Sequence, residues 1–154
     1  MAWREAGRAV TCRHFGGVGT IEVWRNSAKA VARGEAAWVG TFRADAEPGA
    51  ISYSAETQRA LGIVAAPANW PTLCHIAGSL AGVLAAGTTD WATIESRVAA
   101  DAGAVDPDSA PWSAADIAQV DAILRGRWHQ VQDEVETVVD DFKRSRRGRV
   151  MFKS

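Results

Sequence analysis

Arg4, Glu5 and Arg8 are the residues whose types and spacing come nearest to a reactive constellation in this chain. Residues 3–15, W-R-E-A-G-R-A-V-T-C-R-H-F, read as a helix in which Ala6, Ala9, Val10 and Phe15 are available for burial, with Arg4, Arg8 and Arg13 set apart from them. Arg4 and Arg8 are four apart, so they share one face with Glu5 beside them. On a helix, two ligands at that spacing can clamp a metal while a glutamate between them activates its water. Guanidinium defeats that use, because it stays protonated and has no lone pair to offer. A catalytic zinc normally takes three protein ligands and a water. Two positive charges at the ligand positions repel such an ion. The electrostatic expectation is replacement: both arginines pair with carboxylates, a geometry that guanidinium suits well. A plain polar helix face with i,i+4 charges is the simpler reading of the same residues.

Other donors do not assemble by spacing alone. Cys12 and His14 are two apart, and Cys74 and His75 are adjacent, so on a helix each pair points in different directions. His129 and Asp133 are four apart and could supply two ligands, a spacing that equally fits an ordinary pair on a solvated face. Nothing near Cys12 in sequence lowers its pKa as a nucleophile requires. Gly16, Gly17 and Gly19 do not follow a strand, which excludes a phosphate-cradling loop.

With histidine in place of both arginines the opening stretch becomes H-E-A-G-H-A-V. In that stretch the chain resembles the peptidase domain of the FtsH-like AAA+ zinc metalloproteases, with RExxR replacing HExxH. The resemblance extends to Thr20-Ile21-Glu22-Val23 as a strand, to the small-residue run Ala77-Gly78-Ser79-Leu80-Ala81-Gly82, and loosely to Arg127-Trp128-His129-Gln130-Val131. It implies that Glu5 is the vestigial base. Asp90, in the Gly87-Thr88-Thr89-Asp90 turn, is the vestigial third ligand, with Asp116 as a second choice, and Arg4 and Arg8 stand at the other two ligand positions. Glycine occupies position 82, where the family usually has an acid. The family's groove borders an edge strand, which places peptide binding at Trp38, Val39, Gly40 and Thr41. The expected function is a non-catalytic metallopeptidase-like domain without a cofactor that binds a peptide or protein as regulator or scaffold. Two alternatives stand beside it. One is an active zinc metallopeptidase with unrecognised ligands; the other is a structural or assembly protein that self-associates through its C-terminal helix.

The elements that must position these residues form a mainly α (α+β) pattern over one domain, residues 1–154. After the glycine turn, residues 20–24 and 36–42 read as strands. Ser54 caps a short helix, and Pro71 fits the first turn of a core helix over residues 72–86. Asp90 opens a helix to about residue 102. Ser113 with Asp116 starts a long C-terminal helix to about residue 144. Its apolar stripe, Ile117, Val120, Leu124, Trp128, Val131, Val135, Val138 and Phe142, repeats at three- and four-residue steps. A helix that long outruns a domain this small. Its distal part is therefore expected to project or to meet a partner, leaving a homo-oligomer possible. Residues 143–154 read as a basic tail.

Composition bounds the rest. A chain of 154 residues can bury a real core. A formal net charge of −1 argues against nucleic acid as a partner. The most apolar run, residues 73–86, is too short to span a bilayer, and the charged start of the first helix gives the expectation of no signal segment there. Two cysteines without framework spacing fit free thiols in a reducing, cytoplasmic setting.

Overall fold

The computed structural model describes residues 1–105, 112–144 and 149–153, with side chains described over residues 1–101 and 112–140. The helices are α1 (Ala2–His14), α2 (Ala28–Ala32), α3 (Ala55–Leu61), α4 (Trp70–Ala85), α5 (Trp91–Val105), α6 (Ala114–Gly126) and α7 (Trp128–Arg144). The strands are β1 (Val18–Arg25), β2 (Trp38–Ala46) and β3 (Arg149–Lys153). The fold is mainly α with one small antiparallel sheet, in the order β2-β1-β3.

Local chemistry sets most boundaries. Ser54 Oγ accepts from the Thr57 amide, Asp90 Oδ2 from the Thr93 amide at 2.8 Å, and Ser113 Oγ from the Asp116 amide. Each satisfies a first-turn N–H that the helix itself leaves open. Pro71 stands in the first turn of α4, where its missing N–H costs nothing. Gly16 follows α1 with φ of 81°, a left-handed conformation that glycine adopts without strain.

Helix α1 lies at the centre, packed against α4, α6, α7, β1 and β2. Its contact with α4 leaves no room for a side chain at Gly7. A Cβ on Gly7 would stand 2.5 Å from the Ala77 carbonyl oxygen and 2.7 Å from Ala81 Cβ. Ala6, Ala9, Val10 and Phe15 are all buried, as the periodicity predicts. The main core joins α1, α4, α5, α6 and α7 through residues such as Val10, Leu73, Leu80, Ile94, Ile117 and Leu124. A second cluster, Ala9, Ile21, Val23 and Val138, fastens the sheet to α1 and α7. Trp3 stacks on Trp128 with ring centroids 5.4 Å apart, which joins α1 to the start of α7.

Three elements depart from the sequence reading. The turn after β1 contains a helical turn and a half, α2, capped by Ser27. The C-terminal residues 149–153 pair with β1 rather than forming a basic tail. The single long helix is two, broken at Arg127. This residue donates from Nε to His14 Nδ1 at 3.1 Å, from Nη1 to Gln130 Oε1 at 3.2 Å, and from Nη2 to the carbonyls of Leu61 and Gly62. These bonds fix the junction against α1 and the end of α3, and the chain turns there. The apolar stripe consequently folds back on its own domain. Val131 and Val138 are buried and Val135 packs on the main core, with Val139 exposed. As far as residue 140 the stripe lies on its own domain rather than projecting, against the expectation, and the side chain of residue 142 lies outside those described. Among the described residues no helix is long and apolar enough to cross a membrane.

Candidate functional site

Glu5 is the buried charge of α1. Its side chain is 2% exposed, and β2 passes directly over its stem, since a Cβ on Gly40 would lie 3.0 Å from Glu5 Cγ. A carboxylate taken out of water needs a partner to offset its lost hydration. Arg8, one turn along, supplies it: Nη1 donates to Glu5 Oε2 at 3.2 Å. Gly78 of α4 makes the room, because a Cβ there would stand 2.8 Å from Arg8 Nε and 3.2 Å from Arg4 Cγ. The two arginines therefore share one face of α1, as their spacing requires, and both lie over the same glycine.

The acids expected opposite them are elsewhere. Asp90 is exposed and serves as the cap of α5; its bonds to Thr93 hold its carboxyl below the usual carboxylate range. Asp116 accepts from Ser113 Oγ and from Asn69 Nδ2, at the start of α6. Arg4 instead reaches Asp101 of α5, at 3.7 Å. Both side chains of that pair are more than a third exposed, so it is worth about 0–1 kcal/mol. Asp101 carries no signal of this role in the sequence, since its distance from Arg4 is set by the α4–α5 turn. Asp90 and Asp116 thus stand at the starts of α5 and α6, while the described ion pairs of the two arginines are Arg8 with Glu5 and Arg4 with Asp101.

Beside Arg8 a groove of about 170 Å³ opens between β2 and the first turns of α4, lined by Phe42, Ala44, Trp70, Pro71, Cys74 and His75 as well as Arg8. Residues 38–41 continue the strand that forms one wall. Val39 and Gly40 are half-buried, while Trp38 and Thr41 face solvent, with Arg25 over the Trp38 ring. Strand β2 is an outer strand of the sheet. His75 stands at the rim, where partial desolvation first, and the Arg8 and Arg4 charges second, push its pKa below the ordinary value. The donors around Glu5, two guanidiniums and one carboxylate, do not fit a zinc centre. His129 is exposed on α7 and Asp133 lines a different, mixed-charge cavity with Arg13, Arg127 and Glu134. Among the described residues no three His, Cys, Asp or Glu side chains converge as ligands.

At the far end of α1, His14 accepts from Arg127 through Nδ1. Burial, and then the Arg127 charge, lower its pKa. Unfolded histidine titrates near ~6.5, so below that pH the unfolded chain takes up a proton that the folded chain resists. The stability from this group is present above ~6.5 and is lost as pH falls toward the folded value. His14→Asn keeps an acceptor for Arg127 and removes the titration. Urea unfolding at about pH 7 and about pH 5 should show a smaller acid loss in the variant than in the parent; equal losses would remove His14 as the cause.

Comparison with protein-family models, curated proteins and solved structures returns no match.

Proposed function

We propose that the chain is a non-catalytic binding domain of zinc-peptidase-like design, taking an extended peptide or protein segment along β2 above the Arg8 groove. The observation that carries this reading is the placement of Glu5. Glu5, which the resemblance makes the vestigial base, is buried under the strand and paired with Arg8. A hydrolytic zinc needs neutral or anionic ligands to bind and to bring its water to a pKa near ~7. Arg4 and Arg8 supply the opposite charge. Peptide capture by strand addition needs none of this, because main-chain groups of an outer strand give the affinity and pockets alongside give the specificity. The groove walls offer Phe42, Trp70 and Pro71 as apolar contacts and Arg8 as a fixed cation.

The test is a titration of ¹⁵N-labelled chain with a casein digest as a source of unstructured peptides, together with metal analysis. The expected result is amide shifts over residues 39–44, reduced when a bound peptide is resynthesised with alternate amides N-methylated, and no stoichiometric zinc. Shifts confined to another face would overturn the site. Stoichiometric zinc with peptide cleavage that disappears in Glu5→Gln would overturn the non-catalytic reading and install an active metallopeptidase in its place.

A further inference from the structure

We propose that Cys12 and Cys74 form an oxidisable dithiol, a site at which peroxide converts two buried thiols into a disulfide bolting α1 to α4. Both cysteines are free in the structure and both are buried. Neither takes part in the binding reading given above, apart from Cys74 contributing to the groove wall.

The helix register brings them together. α1 and α4 run antiparallel, with Arg8 lying over Gly78. Cys12 is one turn further along α1 and Cys74 one turn back along α4, so the same face of each helix carries one cysteine at the same level. The two side chains are within hydrogen-bonding contact, Cys74 donating to the Cys12 sulfur. That bond favours the Cys12 thiolate, and the same bond together with burial holds Cys74 in its protonated form. A disulfide needs Cα atoms roughly 4.4–6.8 Å apart, with Cβ atoms closer. The two helices lie close here because Gly7, Ala77 and Ala81 put nothing larger than a methyl between the backbones. Cys12 is also clamped from behind, since a Cβ on Gly17 would stand 2.5 Å from its sulfur.

Access comes through the groove. Cys74, 7% exposed, lines it with Arg8 and His75 while Cys12 is fully buried, so a small neutral oxidant would enter from the Cys74 side. The step balances as two thiols and one hydrogen peroxide giving one disulfide and two waters. Both S–H bonds and the peroxide O–O bond break, one S–S bond forms, the sulfurs are oxidised and the peroxide oxygens reduced. Dithiothreitol reverses it by thiol–disulfide exchange.

The experiment treats the folded chain with hydrogen peroxide under native conditions, quenches it, and measures intact mass, thiols titrated in denaturant and a non-reducing peptide map. The expected result is a monomer lighter by two hydrogen atoms, both thiols lost together, and peptides containing Cys12 and Cys74 joined. Dithiothreitol should restore the starting mass. The oxidised chain should also melt at higher temperature, because the link closes a long loop in the unfolded chain. Cys74→Ala, a substitution at the groove wall, should leave Cys12 unreacted over the same exposure. Addition of oxygen atoms to Cys74 without loss of Cys12, disulfide-linked dimers, or a linkage that forms only in denaturant would each overturn the proposal. The peptide map of the unaltered chain decides the matter even if the variant does not fold.

Discussion

Gly7→Ala is expected to destabilise the chain by about 2 kcal/mol, although alanine is the better helix former. The propensity gain for an interior glycine is about 1 kcal/mol. Against it stands overpacking, typically about 1–3 kcal/mol and here at its upper end. The new methyl would meet the Ala77 carbonyl oxygen at 2.5 Å, and that atom is backbone, so relief requires moving α1 away from α4. Gly82→Ala provides the contrast on α4 itself. Nothing lies within 4 Å of a Cβ there, and the residue is exposed. That variant should gain roughly 0.5–1 kcal/mol. Chemical denaturation of the two variants checks both signs at once; a stabilised Gly7→Ala would mean that the α1–α4 contact is looser than described.

The second large effect is expected at the buried pair. Arg8→Met removes the guanidinium and leaves Glu5, at 2% exposure, without its cation. Breaking a buried ion pair from one side costs about 3–5 kcal/mol. Arg8 is 17% exposed, which lets in some water and puts the expectation at the lower limit, about 3 kcal/mol. Adding Glu5→Leu to Arg8→Met should recover most of that loss, because replacing both charges by apolar groups of similar size is often close to neutral. The two single variants and the double variant form a cycle whose coupling is the quantity of interest. A double variant as unstable as the sum of the singles would show that Glu5 and Arg8 do not depend on one another.

How far these sites were legible in the sequence depended on how local their causes are. The caps at Ser54, Asp90 and Ser113 could be read directly, since each side chain bonds to an amide three residues on. The buried face of α1 and the sharing of one face by Arg4 and Arg8 follow from helical period alone. Glu5 beside Arg8 was visible for the same reason. Asp101 was not, because the contact depends on how α5 folds back against α4, and Asp90 looked better by its place in a turn. The break at Arg127 was hidden by continuity of the stripe: Leu124, Trp128 and Val131 remain in phase across it. Its causes, His14 and the carbonyls of Leu61 and Gly62, are remote in sequence. Strand β3 was missed because its short R-V-M-F-K run is charged at both ends and its partner is β1, at the other end of the chain.

The sheet has a consequence for how the molecule is made. β1 is its middle strand, and Ile21 is paired with Phe42 on one side and with Phe152 on the other. The first ladder can close as soon as β2 leaves the ribosome. The second waits for β3, on the order of ten seconds later at ~5–20 residues per second. Until then β1 presents its second edge bare, and α1 still lacks α7, which supplies Val138 to the cluster with Ala9 and Ile21. Bare strand edges are templates for pairing with other chains. The period of greatest hazard for this protein therefore falls during synthesis, and a cell that slows translation between β2 and β3 lengthens it.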